Sequence, residues 1–333
     1  MALSVYKTYV SAEVLYAVDL NGSIARLHDN PMSLISPYTA NISAGGFDVT
    51  SMGELHFDDE GSATAVGRLR RSGNALHWHD ATGSVALQAM IGGGLFGLTL
   101  SNSAGDPTND IAIAAGAAVD STEAQVLRLA ASLTKQLDVL WAVGAGGGLD
   151  TGAIANGTYH VHLIKRVDTG VVDALFSTSA TAPTMPTNYT LSRRIGSILR
   201  ESAAIVGFIQ DGDYFVRTDD GILDVDATNP TTSAVTRTLS IPAGINVWAC
   251  FRVYSNAGSV GVIRDLATAG AAPSVTVAPL ENFGSVGAAV AQDMRIRTDG
   301  SRQIETMNIS SGGGEILRIV TYGWWDYRNR HAG

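Results

Sequence analysis

The stretch from Ala17 to Phe57 limits the fold most strongly, because a single chain cannot bury its apolar residues. In its first half, apolar or proline residues recur at spacings of four, three, four and three. They are Leu20, Ile24, Leu27, Pro31 and Leu34. This heptad spacing predicts a helix with an apolar seam. A helix this short is marginal alone in water, and the proline kinks or ends it, so partner chains must complete the seam.

We therefore predict a parallel association of identical chains through this segment. The predicted interface residues are Leu20, Ile24, Leu27 and Leu34. After Ser36-Pro37 the pattern changes to short pieces that are apolar at every second position, with glycine between them. Alternation of this kind predicts short strands rather than a helix. Because each piece is small, the segment predicts a narrow stem shared between chains.

These residues resemble a known family. The run AVDLNGSIARLHDNPMSLISP at 17–37, followed by NISAGGFDVTSMGEL at 41–55, resembles the N-terminal segment of bacteriophage tail fibres and related virion fibre proteins. In that family a "DLN" helix leads into "ISP" and then into a stem rich in glycine. The segment from Gly67 to Leu87 looks like the β-hairpin modules of the same fibres. The segment from Gly157 to Arg217 resembles a β-rich domain of phage structural proteins.

The resemblance implies a homotrimer that attaches to the virion by one end and contacts the host surface by the other. The implied partners are virion proteins of the tail or baseplate and a host cell-surface receptor, either a polysaccharide or a protein. The implied location is the virion, after synthesis in the bacterial cytoplasm. Two alternatives stay open at this stage: a head fibre or decoration protein mounted on the capsid, and a glycan-degrading tailspike.

Composition agrees with a chain of many short strands. The 333 residues include 37 glycines, and only 16% of the residues are charged. The formal net charge of −9 argues against a nucleic-acid partner, which needs a basic face. The N-terminal residues lack the basic start and continuous apolar run of a signal peptide. No stretch reaches the ~18 consecutive apolar residues of a membrane span. We expect no membrane insertion, and a buried, inert thiol at Cys250, the one cysteine.

The predicted fold is mainly β. A short N-terminal helix and fibrous stem precede two antiparallel β-sandwich-like domains, in a parallel homotrimer. The predicted divisions are 1–60 for virion attachment and trimerisation, 61–97 for a β-hairpin module and glycine-rich linker, 98–231 for the middle domain, and 232–333 for the C-terminal domain.

Strand alternation in the middle domain predicts a sheet with one buried face. In 158–166, Tyr159, Val161 and Leu163 point one way, while His160, His162 and Arg166 point the other. A pair of histidines on one strand, repeated around a threefold axis, would offer six nitrogens to a metal ion. His77 and His79 form a second such pair. We favour the simpler interpretation that all four imidazoles face solvent, and predict no metal site and no cofactor.

The remaining polar motifs do not define an enzyme. The acidic residues between Asp211 and Asp226 lack the loop pattern and closing glutamate of an EF-hand, so solvated turns are favoured. No G-x-S-x-G motif is present, and no GK[ST] follows the glycine run at 144–148. Glycan hydrolysis depends on the distance between two paired carboxylates, and the sequence does not specify that distance. We predict a protein without enzymatic activity.

The last predicted strand, EILRIVTYGWWDYR at 315–328, is the most aromatic segment of the chain. Trp324, Trp325 and Tyr327 are candidate receptor-facing aromatics, because aromatic residues are enriched where ligands bind. Alternation puts Trp324 on one face and Trp325 on the other, so at least one tryptophan is expected to pack in the core. The arginine pairs at 193–194 and 295/297 are expected on solvent or intersubunit faces.

Overall fold

A computed structural model describes residues 94–123, 125–267 and 282–328, together with the backbone of four short strands between 54 and 86. The chain forms two compact units, Met1–Leu55 and His56–Gly333. The predicted seam residues Leu20, Ile24, Leu27 and Leu34 lie outside the described residues.

The described residues form 25 strands. They are β1 Glu54–His56, β2 Arg68–Ser72, β3 Ala75–Asp80, β4 Gly83–Ala86, β5 Leu95–Gly97, β6 Leu100–Asn102, β7 Asp110–Ile113, β8 Gly116–Val119, β9 Val126–Leu129, β10 Leu133–Leu140, β11 Gly146–Leu149, β12 Gly157–Arg166, β13 Val172–Ser177, β14 Tyr189–Glu201, β15 Ala204–Ile205, β16 Phe208–Asp211, β17 Tyr214–Arg217, β18 Ile222–Thr228, β19 Val235–Thr238, β20 Trp248–Ser255, β21 Gly261–Arg264, β22 Asn282–Phe283, β23 Val290–Arg297, β24 Gln303–Asn308 and β25 Ile316–Trp325.

The prediction of a mainly β protein is confirmed, and the described residues contain no helix. Many of the strands are separated by tight turns, and glycine often lies in these turns. In the β16–β17 hairpin, for example, Gly212 has φ +59° and follows Asp211 directly. Glycine adopts this left-handed conformation without the steric cost of a Cβ. Across the described ranges, no helix is long and apolar enough to cross a membrane.

The largest sheet has eight strands in the order β15-β14-β12-β13-β11-β10-β7-β6. Its two longest strands, β12 and β14, form an antiparallel pair near one edge of the sheet. β11 is the exception to the antiparallel pattern, because it runs parallel to both β10 and β13. The sheet therefore departs from the purely antiparallel sandwich that was predicted for this range.

A second sheet joins strands from both predicted β-domains. Its order is β16-β17-β25-β20-β23, and β18 also pairs with β25. β25 thus lies between β17, from the range 98–231, and β20, from the range 232–333. Smaller sheets have the orders β19-β24-β21-β22 and β5-β8-β9, and β2, β3 and β4 form an antiparallel meander.

One main hydrophobic cluster draws residues from both large sheets. The β14 backbone comes close to this cluster at Gly196, where a Cβ would lie 2.6 Å from Leu100 Cδ1 and 3.3 Å from Phe215 Cζ. A side chain at this position would force the Leu100 side chain to move, so glycine allows the close approach seen here. Phe215 in turn stacks on Trp324, with ring centroids 5.5 Å apart and an interplanar angle of 4°. The strands of 98–231 and 232–333 therefore share one core.

The prediction that β12 buries only one face is wrong. Tyr159, Val161 and Leu163 do lie in the main core, as the alternation predicts, but His160 and His162 on the opposite face are also buried. The reason is the position of β12 between β13 and β14, with further chain segments covering its second face. Local alternation cannot reveal a cover that comes from distant parts of the sequence.

Candidate functional site

A β-bulge in β14 collects polar side chains on the second face of the large sheet. In the β12–β14 ladder Val161 pairs with Gly196 and His162 with Arg194, which leaves Ile195 as the extra residue. The extra residue reverses the alternation, so Arg194 and Ser197 reach the same face. Arg194 Nη1 donates to Ser197 Oγ at 3.1 Å, and Ser197 Oγ lies 2.8 Å from His160 Nδ1.

The centre of this polar face is a buried ion pair between Arg194 and Asp326, which follows β25 directly. Both guanidinium terminal nitrogens donate to the carboxylate, with Nη2 at 2.8 Å from Oδ1. The two side chains are 4% and 2% exposed. Burial alone would raise the pKa of Asp326, but the charge and hydrogen bonds of Arg194 outweigh it and hold that pKa below its ordinary value.

A second ion pair continues the polar face. Arg328 donates from Nε and Nη2 to Asp213 Oδ1, at 2.9 and 2.7 Å, and its backbone N–H donates to Asp326. Arg193 Nη2 donates to the carbonyl oxygen of Arg328 at 3.1 Å. Since Asp213 lies in the β16–β17 hairpin and Arg193 in β14, the chain after β25 ties the two large sheets together.

The two histidines lie deepest in the polar face. His162 Nε2 donates to the Ser179 carbonyl oxygen at 3.0 Å, while its Nδ1 has no hydrogen-bond partner among the described residues. Burial is the main cause that lowers the pKa of both imidazoles to about 4, and the charge of Arg194 adds to it. Both rings are therefore neutral at pH 7.

A cavity of about 490 Å³ opens beside this polar face. We call it the arginine cavity, and define it by Arg194, Asn246, Arg297, Asp326, Tyr327 and Arg328. A smaller cavity of about 180 Å³ shares Arg194 with it and is also lined by His162 and Arg193. The larger volume lies within the ~300–1,000 Å³ range of ligand pockets. Three arginines and one aspartate line it, in a chain whose net charge is −9.

A row of large side chains leads across the outer face of the second sheet to this cavity. Tyr214 pairs with Trp325, Trp325 with Trp248, and Trp248 with Arg297. Tyr214 stacks on Trp325, with centroids 5.2 Å apart. Arg295 lies over the rings of both tryptophans, at 5.5 and 5.7 Å from their centroids. We call Tyr214, Trp325, Trp248 and Arg295 the aromatic surface.

The three candidate receptor-facing aromatics lie in different environments. Trp324 is 1% exposed and packs on Phe215, so the prediction that Trp324 faces a receptor is wrong. Trp325 is partly exposed in the aromatic surface, and Tyr327 is 37% exposed beside the arginine cavity. The expected core tryptophan is thus Trp324, while the other two lie where a ligand can reach them.

The expectation that Arg193 and Arg194 face solvent or another subunit is also wrong, because both are buried. The sequence carried one usable signal, an aspartate directly after an apolar strand at Trp325-Asp326. A buried charge needs a partner, but which arginine it meets depends on a pairing 132 residues apart. Of the second predicted arginine pair, Arg297 lines the arginine cavity and Arg295 is exposed on the aromatic surface.

The other polar motifs have structural partners. In the acidic run, Asp219 pairs with Arg217, Asp226 with Arg318, and Asp224 accepts hydrogen bonds from Ser240. Within the described ranges, no group of three or more His, Cys, Asp or Glu side chains is placed to hold a metal ion. Burial raises the pKa of the Cys250 thiol to about 11, so this thiol is protonated at neutral pH.

One further buried charge lies away from these cavities. Lys135 is fully buried, and its Nζ donates to the carbonyl oxygens of Ala142 and Gly144, at 2.6 and 2.8 Å, beside Asp173 at 3.2 Å. Burial lowers the pKa of Lys135, and the charge of Asp173 opposes that shift. These contacts hold the connection between β10 and β11, which is a structural role.

Comparison with known proteins adds no relative. No protein-family model matches the chain, and no curated protein sequence matches it significantly.

Proposed function

We propose that this chain is a virion fibre protein, a bacteriophage tail fibre that attaches the particle to a host cell-surface receptor. The observation that carries the proposal is the N-terminal segment at 17–55, with its DLN and ISP motifs and its glycine-rich stem pattern. The mainly β architecture of the described residues is compatible with it. The arginine cavity and the aromatic surface supply a place where a receptor can bind.

In this proposal the fibre is a parallel homotrimer. Its N-terminal helix and stem, residues 1–60, attach to virion proteins of the tail or baseplate, and the β-rich part beyond residue 98 contacts the host. Loops on rigid sheets are the usual position of binding residues, whereas a narrow stem offers little concave surface. Three receptor contacts on one stalk raise the avidity by ~10²–10⁴ over a single contact.

The proposed attachment does not involve catalysis. A glycosidase needs one carboxylic acid that stays protonated to donate to the leaving group. Asp326, the carboxylate that lines the arginine cavity, has a lowered pKa and a buried arginine partner, so it is ionised at neutral pH. This property supports binding rather than hydrolysis. Release of reducing ends from host capsule or lipopolysaccharide by the purified protein would contradict the proposal.

The trimer can be tested directly in solution. Light scattering of the intact chain is expected to give about three times the 34.7 kDa chain mass. Replacing Ile24 and Leu27 together by aspartate is expected to weaken the assembly, because a buried unpaired charge costs several kcal/mol. Replacing Asn21 and Asp29, polar residues of the same segment, by alanine is the matched control. A stable monomer of the unaltered chain at micromolar concentration would exclude the trimer.

The division of roles along the chain predicts which part blocks infection. A fragment of residues 93–333 is expected to bind host cells and compete with virus for adsorption, whereas a fragment of residues 1–92 is not. The measurement is the adsorption rate of virus in the presence of each fragment, after its oligomeric state has been checked. If only the shorter fragment blocks adsorption, or if the longer one binds nothing as a trimer, the proposed division is wrong.

A further inference from the structure

The donors of the arginine cavity include one guanidinium that is open to solvent. Arg297 has 43% of its side chain exposed, and among the described residues it hydrogen-bonds only Asp265, through Nη1 at 2.9 Å. Its remaining N–H groups can donate to a ligand in the cavity. Asn246 is exposed beside it and offers an amide donor and acceptor.

Arg297 also lies next to the aromatic surface, beside Trp248. Tyr214, Trp325, Trp248 and Arg297 are direct neighbours on four successive strands, so the row spans about 14 Å at ~4.8 Å per strand. Arg295 holds a second positive charge over the two tryptophan rings. An extended ligand can therefore contact ring faces and guanidinium groups along one line that ends in the cavity.

We propose that the arginine cavity and the aromatic surface together bind an acidic saccharide, a chain of sugars that carry carboxylate groups. This inference rests on the proposed function, since it names the chemical class of the receptor. Aromatic faces pack against the apolar C–H faces of sugar rings, and the arginine, asparagine and aspartate side chains hydrogen-bond sugar hydroxyls. The carboxylate would be held by Arg297, with Arg295 along the chain.

The charge distribution favours an acidic rather than a neutral saccharide. The cavity lining has three positively charged arginines and one negatively charged residue, Asp326, and the adjoining aromatic surface adds Arg295. The protein as a whole is acidic, with a net charge of −9. Asp213 and Asp265 neutralise part of that charge, but both are mostly buried, with 11% and 15% side-chain exposure. A ligand therefore meets Arg297, which is 43% exposed, more readily than Asp265, whereas Arg194 and Arg328 are themselves only 4% and 3% exposed. A neutral sugar would form hydrogen bonds with these side chains but no ion pair with the arginines.

The test measures binding of short polygalacturonate to the full-length protein by calorimetry, with dextran of the same length as the neutral comparison. We expect polygalacturonate to bind and dextran to bind at least tenfold more weakly. Arg297→Gln should weaken polygalacturonate binding about tenfold or more, because it removes a charge-assisted hydrogen bond to the ligand carboxylate. Arg252→Gln is the matched control, since Arg252 lies exposed and ion-paired on β20 of the same sheet.

A second variant predicts a change in the opposite direction. Asp265→Asn should tighten polygalacturonate binding several-fold, because it removes the carboxylate that competes for Arg297. Damage to the fold would not strengthen binding, so this variant separates a binding role from a structural one. Added salt should weaken the binding of polygalacturonate much more than that of dextran.

Three results would overturn the proposal: no polygalacturonate binding by the unaltered protein, equal affinity for dextran, or equal losses from Arg297→Gln and Arg252→Gln. A parallel assay of the same protein on host cells distinguishes this inference from the proposed function. If the protein binds host cells but not polygalacturonate, the acidic saccharide is wrong and the fibre proposal stands. If the protein binds polygalacturonate but no host cell, the receptor role fails while the site remains.

Discussion

Replacing Asp326 by asparagine is expected to lower the free energy of unfolding by about 3–5 kcal/mol, because it leaves the Arg194 charge buried without its counterion. The structure makes this one of the most sensitive positions in the described part of the chain. Both partners are almost fully buried, and the carboxylate also accepts the Arg328 backbone N–H. Urea denaturation of the intact protein at pH 7 measures the change.

Two further variants make this expectation specific. Asp293→Asn removes the partner of Arg252 in an ion pair whose side chains are 60% and 52% exposed, and little change in stability is expected. The double replacement of Arg194 and Asp326 by leucine removes both charges, so it should recover part of the loss seen in Asp326→Asn. If Asp326→Asn and Asp293→Asn have equal effects, the buried pair does not stabilise the polar face as described.

The strand content could be predicted from sequence because alternation and turn residues are local signals. The pattern in 158–166 correctly placed Tyr159, Val161 and Leu163 on one core face. The place of Trp324 could not be predicted in this way. In the β20–β25 ladder Cys250 pairs with Gly323 and Phe251 with Thr321, so Tyr322 is an extra residue that reverses the alternation. Trp324 therefore points into the core with Ile319 instead of outward with Tyr322.

The candidate site depends even more on long-range pairing. Arg194 of β14 meets Asp326 because the sheet of β14 packs against the sheet that contains β25. Arg297 lies beside Trp248 because β23 pairs with β20. Periodicity specifies which residues share a face of one strand, but not which strand lies beside it. The aromatic residues at 324–327 could be recognised from the composition of one segment. The arginines near them could be identified only once the pairing of the strands was known.

A fall in pH from 7 to 4.5 is expected to destabilise the protein through His160 and His162. In the unfolded chain an imidazole gains a proton near pH 6.5, whereas in the folded protein both pKa values are lowered to about 4, first by burial and then by the charge of Arg194. Between these values the unfolded state binds more protons, so stability falls as the pH falls. The loss at pH 4.5 is about 2–3 kcal/mol per histidine.

Single replacements test whether these two rings carry the effect. His160→Asn and His162→Asn each remove one group that the unfolded state protonates, so each should flatten the pH dependence of stability between pH 6.5 and 4.5 by about half. The measurement is the urea midpoint at several pH values for the unaltered chain and both variants. His79→Asn, in a short strand before residue 94, is the matched replacement elsewhere. If the unaltered chain is equally stable at pH 7 and pH 4.5, or if His79→Asn flattens the curve as much, the buried neutral histidines are not the cause. The alternation pattern assigned both imidazoles to solvent. The structure instead encloses them between β14, Ser179 and the chain at Gly244, and this burial is the cause of the expected slope.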